Sequence, residues 1–192
     1  MGSLAPAVVA AMESVLGAPI AEARSVAGGD INQAWAITTG AGDRLFAKTN
    51  PRAAAGMFAA EAKGLTWLAE AGCLRVPRVL GQGDGEGARF LLLEMITSSA
   101  RRRDHDELFG RGLAALHRFG AAGFGLDHDN FIGDVPQKNQ PVAAEVTWAG
   151  FYRSHRLQPM LARADKRGLV NVGLRRRFDE LFDRLPELAG PE

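Results

Sequence analysis

The chain has 192 residues, 46% hydrophobic and 23% charged, which excludes a disordered or low-complexity polypeptide and allows a sizeable core. Lysine and arginine total 23 against 22 aspartate and glutamate, so a net charge of +1 supplies no basic field for nucleic acid or a membrane surface. The lone cysteine, Cys73, excludes an internal disulfide, and no apolar run reaches membrane-spanning length; the expectation is a soluble cytoplasmic protein.

The first stretch, MGSLAPAVVAAMESVLG, has no basic leader and sets Val8, Met12, Val15 and Leu16 at helical spacing. It predicts an amphipathic helix rather than a signal peptide. ARSVAGG, NQAWAITT and RLFAKTN follow as β-type segments, with GAGD as a turn signal between the last two, and predict an antiparallel meander. In the second strand Ala34, Ala36 and Thr38 share one face, Trp35 and Ile37 the other. Residues 53–71 predict a helix with Met57, Glu61, Leu65 and Leu68 in one stripe. VPRVLGQGDGEGARFLLLEMI then predicts two more strands around a glycine-rich, acidic turn. Residues 1–96 thus read as a small α+β lobe of five antiparallel strands with one inserted helix.

From about residue 104 the pattern is helical. Asp104 and Asp106 are candidate N-caps for a helix with an apolar stripe of Phe109, Leu113 and Leu116. AGFGLDHDNFIGDVPQKNQP reads as a long loop. AAEVTWAGFYRSHRL predicts a helix with Trp148, Phe151, Tyr152 and His155 at i, i+3, i+4 and i+7, and LRRRFDELFDRL one with Leu174, Phe178, Leu181, Phe182 and Leu185 inward. Residues 97–192 form a second, helical region.

Glu61 is the informative residue. One helical turn separates it from Met57 and from Leu65, so the spacing points its carboxylate inward, where an unpaired charge is costly and a cation is required. Lys48, on the same strand face as Phe46, is the candidate. A strand lysine held by a helix glutamate beneath a glycine-rich turn is the arrangement that positions ATP phosphates in kinase-like folds, the lysine as point charge and the glutamate as its brace. A structural ion pair is the plain alternative. Gly28, Gly29 and Asp30, in GGDINQAW, then read as the phosphate-covering turn. It is not a P-loop, since no G-x-x-x-x-G-K-[ST] occurs. FLLLEMI fits the last strand running into a linker, where the main chain of Glu94, Met95 and Ile96 would hold adenine.

These pieces, with MFAAEAKGL, VPRVL, GRGLAALHR, DNFIG, PQKNQP and WAGFYRSHRLQPML in this order, resemble the fructosamine kinase (ketosamine-3-kinase) family, relatives of aminoglycoside phosphotransferases with a protein-kinase-like fold. The resemblance covers nearly all of residues 20–170. It implies ATP- and magnesium-dependent phosphorylation of the 3-hydroxyl of a small-molecule or protein-bound ketoamine, whose product releases the amine: a deglycation activity. By position it implies Lys48 on the ATP phosphates, Glu61 orienting Lys48, and residues 94–96 on adenine. Some members carry a cysteine in the glycine turn that is linked to redox control; Asp30 is in that turn here, against such control.

Such a kinase needs an aspartate to orient the hydroxyl and take its proton, and an asparagine and second aspartate for magnesium. The H-G-D-x-W-x-x-N segment expected of the family is absent from the 192 residues, and neither Asp106 nor Asp129 has the required asparagine after it. The expectation is an N-terminal portion with an incomplete helical lobe, inactive alone, its magnesium ligands beyond residue 192 and no metal site of its own. His117, His128 and His155 match no ligand spacing. An aminoglycoside- or choline-type kinase, or a non-catalytic nucleotide-binding module, remain as alternatives, and oligomeric state is not legible.

Overall fold

The computed structural model describes residues 3–27, 31–121, 123–140 and 147–190. The chain divides into two compact units, residues 1–120 and 121–192, so the first runs past the boundary expected at Ile96.

In the first unit helix α1, Pro6–Leu16, precedes strands β1 (Ile20–Val26), β2 (Gln33–Thr39) and β3 (Arg44–Thr49), then α2 (Met57–Glu70), β4 (Val79–Gly85), β5 (Ala88–Glu94) and α3 (His105–Phe119). The five strands form one antiparallel sheet in the order β1-β2-β3-β5-β4. The chain crosses over through α2 to the sheet edge and returns along β5, which lies between β3 and β4. This is the mixed α/β architecture expected of residues 1–96.

The pleat assigns the two faces. Trp35, Ile37, Leu45, Ala47, Phe90 and Leu92 point to one side and pack with Val8 and Met12 of α1 into the core. The Trp35 indole N–H donates to Thr49 Oγ1 at 2.9 Å, which satisfies the one polar atom that the ring buries. The opposite face carries Ala34, Lys48 and Leu91 in register across β2, β3 and β5. Helix α2 packs against β4 and β5 and buries Met57, Phe58, Ala60 and Ala62.

Two sequence signals turn out differently. In GQGDGEG only Gly87, at φ 73°, serves the turn; Gly83 lies within β4, where a Cβ would come 2.4 Å from the Phe90 ring. That glycine is there for close packing, not for chain reversal. At α3, Asp104 occupies the N-cap position but makes no capping bond, because Arg102 takes its carboxylate at 2.9–3.0 Å. Asp106 lies inside the first turn, paired with Arg101. Phe109 is half exposed, and none of the α3 residues is buried.

In the second unit the expected loop contains a short hairpin, β6 (Asn130–Ile132) and β7 (Val135–Gln137), turning at Gly133 and Asp134. Three-residue strands, one of them holding Pro136, give too little alternation to read. Helix α4 (Trp148–Tyr152) is capped by Thr147, whose Oγ1 accepts from Gly150 N–H at 3.1 Å. It passes through a π-helical turn, Arg153–Leu157, into α5 (Gln158–Lys166). The final helix is α6 (Val172–Ala189). Of the five apolar residues expected inward on it, only Phe182 is buried, with the Arg153 guanidinium 4.8 Å from its ring centre.

Candidate active site

The Lys48 ammonium donates to Glu61 Oε1 at 2.5 Å. Strand β3 sets Lys48 on the sheet face away from α1, and α2 brings Glu61 over it one turn after Met57. The expectation of a buried pair needs one correction. The two side chains keep 32% and 29% of their exposure, because α2 is buried along its first turn and a half and its later apolar residues, Trp67 and Leu68, lie at the surface. The pair stands at a rim that solvent reaches. Its stabilising worth is therefore small, about 1 kcal/mol or less. Its value is geometric: the carboxylate holds the ammonium extended over the sheet with donors left for an anion.

The connection between the two partners is tied down at both ends. Just past β3, Asn50 Nδ2 donates to Ile31 O and to Asn32 Oδ1, both at 3.1 Å, and its Oδ1 accepts from Arg52 N–H at 2.9 Å. At the other end Asp84 on β4 accepts from Gly56 N–H at 2.9 Å, and Arg89 on β5 donates to Ala53 O at 2.7 Å. Asp84 and Arg89 also pair with each other at 3.3 Å. The N-terminus of α2 is thereby fixed to the β4–β5 hairpin, which sets the height of Glu61 over Lys48. Neither Asn50 nor the Asp84 and Arg89 pair was legible as part of a site. Asp84 read as one acid in a turn, and its bond to Gly56 spans 28 positions, as that of Arg89 to Ala53 spans 36.

At the expected hinge, β5 ends at Glu94. Arg75 donates to Glu94 Oε1 at 2.6 Å, Arg78 N–H donates to Oε2 at 3.3 Å, and Glu94 N–H donates to Arg78 O at 2.8 Å. These bonds, that from Arg75 first, hold the Glu94 carboxyl below its usual range. The Glu94 side chain and N–H are thus both committed to the loop before β4. Ile96 itself is 41% exposed. Gly28, Gly29 and Asp30, expected over the phosphates, lie outside the described residues.

The second unit holds a polar cluster with no expected role. Asn139, 1% exposed, donates from Nδ2 to His128 O and Asn130 Oδ1 at 3.1 and 2.8 Å, and its backbone N–H donates to Asp129 Oδ1 at 3.1 Å. Arg156, from the π-helical turn, donates to Asn139 Oδ1 and to Lys138 O, and its guanidinium lies 5.1 Å from the Phe151 ring centre. Burial pulls Arg156 below its ordinary value. Lys138 reaches Asp129 Oδ2 at 2.5 Å and, with the Asn139 N–H, lowers the Asp129 carboxyl. DNFIG, PQKNQ and WAGFYRSHRL, three separate stretches of sequence, are thus one hydrogen-bonded assembly. The aromatic stripe does belong to it: Phe151 is buried against His155 at 4.6 Å and Trp148 at 5.9 Å.

Among the described residues no three His, Cys, Asp or Glu side chains converge on a point that could hold a metal ion. Nor, among them, is any helix long and apolar enough to cross a membrane.

Residues 4–189 match the family model described as fructosamine kinase. The "Probable ketoamine kinase" of Synechocystis is 40% identical over 149 residues, 77% of this chain and 49% of its own. The chloroplastic protein-ribulosamine 3-kinase of Oryza sativa subsp. indica is 38% identical over 136 residues, 69% of this chain and 38% of its own. Among solved structures, a Thermobifida fusca protein provisionally assigned as a fructosamine-3-kinase superposes with a TM-score of 0.84 at 32% identity, covering all of this chain and 64% of that one. A Haemophilus somnus protein of the same provisional assignment gives 0.76 at 27% identity, covering 94% and 59%. The chain spans about half the length of the curated relatives that it matches.

Proposed function

The chain belongs to the fructosamine kinase family, and from that premise we propose that it is the nucleotide-binding part of an ATP-dependent kinase that phosphorylates the 3-hydroxyl of ketoamines, small or protein-bound, in deglycation. The observation that carries the proposal is the 2.5 Å contact between Lys48 and Glu61 on the rim of a five-stranded sheet with the family's protein-kinase-like fold. Lys48 supplies the point charge for the phosphate oxygens, Glu61 holds it in place, and the main chain of Glu94, Met95 and Ile96 takes the adenine edge. The part proposed for Gly28, Gly29 and Asp30, covering the phosphates, rests on the sequence.

The residues of this chain fit ATP at that pair. The magnesium ligands and the proton-accepting aspartate belong, on this reading, to the H-G-D-x-W-x-x-N segment that the family resemblance implies and these 192 residues do not contain. The 192 residues alone therefore bind nucleotide without transferring phosphate. A cytoplasmic location agrees with the single cysteine and the ordinary composition.

Mass spectrometry of a fructoselysine or ribuloselysine peptide incubated with ATP and magnesium tests this. The proposal expects no phosphate from the 192-residue chain, and transfer by a longer form that carries the H-G-D-x-W-x-x-N segment. Transfer to aminoglycosides or choline in preference would overturn the ketoamine assignment. ATP binding without transfer to any acceptor by the longer form would make the protein a non-catalytic nucleotide-binding module.

A further inference from the structure

Asn50 stands where the sheet ladder stops. The last β2–β3 pair is Gln33 with Thr49, so Asn50 faces Asn32 one step beyond it. There the side chain replaces the missing ladder bonds: one amide nitrogen spans Ile31 O and Asn32 Oδ1, while the amide oxygen accepts from Arg52 N–H. The backbone joins in, with Asn50 N–H donating to Arg89 O at 3.3 Å and Asn50 O accepting from Ala53 N–H at 3.1 Å. Asn50 is also two residues after Lys48, one step past the end of its strand. It ties together the start of β2, the end of the Lys48 strand and the β4–β5 hairpin.

We propose that Asn50 is a positioning residue for phosphate recognition, fixing the start of β2 against the Lys48 strand so that main chain and ammonium meet one phosphate group at a set separation. This rests on the nucleotide-site reading of Lys48 and Glu61. Alanine at 50 removes all three side-chain bonds. Aspartate keeps the acceptor for Arg52 N–H, loses both donated bonds, and sets a carboxylate against a carbonyl oxygen. Neither change reaches the adenine side, so the effect separates by ligand.

The experiment is calorimetric titration of the 192-residue chain, unmodified, N50A and N50D, with ATP and separately with adenosine, alongside a thermal melt. The expected result is that both variants weaken ATP by about tenfold or more while adenosine affinity holds and the melting temperature falls by only a few degrees, as the loss of two or three partly exposed hydrogen bonds gives. ATP affinity unchanged in both variants overturns the assignment. So does equal weakening of ATP and adenosine, which marks a general loosening of the sheet. If the unmodified chain binds neither ligand, the nucleotide-site reading itself fails; if it binds both and the variants bind ATP as tightly as it does, that reading stands and the role of Asn50 falls.

Discussion

Glu61 reaches Lys48 from a helix that is only half buried, and both side chains retain about a third of their exposure. A pair so placed stabilises little but orients well. Glu61→Gln should lower the unfolding free energy by about 1 kcal/mol or less, measured by urea titration. A loss of about 3–5 kcal/mol would mean that the pair behaves as a buried one.

Asn139 uses both side-chain ends and its backbone N–H, and Arg156 depends on it. Asn139→Ala takes one acceptor from the half-buried Arg156 guanidinium and the donor from the Asn130 oxygen, so unfolding stability should drop by about 2–4 kcal/mol. Arg156→Lys should not behave as a conservative change, because an ammonium cannot span Lys138 O and Asn139 Oδ1 while lying over Phe151. Equilibrium unfolding of both variants checks this; wild-type stability in either contradicts the assembly described.

Gly125 has φ 100°, and a Cβ there would lie 1.9 Å from Asn139 O. Strain and overlap act together against backbone that cannot give way. Gly125→Ala should cost about 3 kcal/mol or more, or abolish folding of residues 121–190, as read by circular dichroism and thermal melting.

Lys138 and the Asn139 N–H hold the Asp129 carboxyl low in the folded chain. A carboxylate whose folded value is depressed contributes stability that is complete above the unfolded value and disappears as pH falls through the folded one. The window therefore opens below about pH 4. Asp129→Asn should be less stable than wild type at neutral pH, and the difference should shrink as the solution is acidified past that point. A difference that stays constant from about pH 7 to 3 would contradict the linkage.

Much of this architecture was legible because local pattern and tertiary demand agreed. Trp35 and Ile37 alternate with alanines on β2, and the sheet buries them on the face that this alternation defines. Lys48 and Glu61 stood out because a charge at an apolar position requires a partner. Legibility stopped where the deciding contact was remote. Arg156 meets Asn139 across 17 positions and Asp84 meets Gly56 across 28, and no local periodicity carries either contact. The α3 stripe of Phe109, Leu113 and Leu116 shows the converse: amphipathic spacing predicted the helix correctly but not burial, since none of the three is buried.

The most direct test of the account is ATP titrated into the unmodified chain and Lys48→Met, followed by calorimetry, with thermal melts as the control for folding. The account predicts measurable binding by the unmodified chain, weakened about tenfold or more in the variant at an almost unchanged melting temperature, since methionine keeps the bulk and removes only the charge for phosphate. Equal ATP affinity in the two would contradict it and leave Lys48 and Glu61 as a structural ion pair.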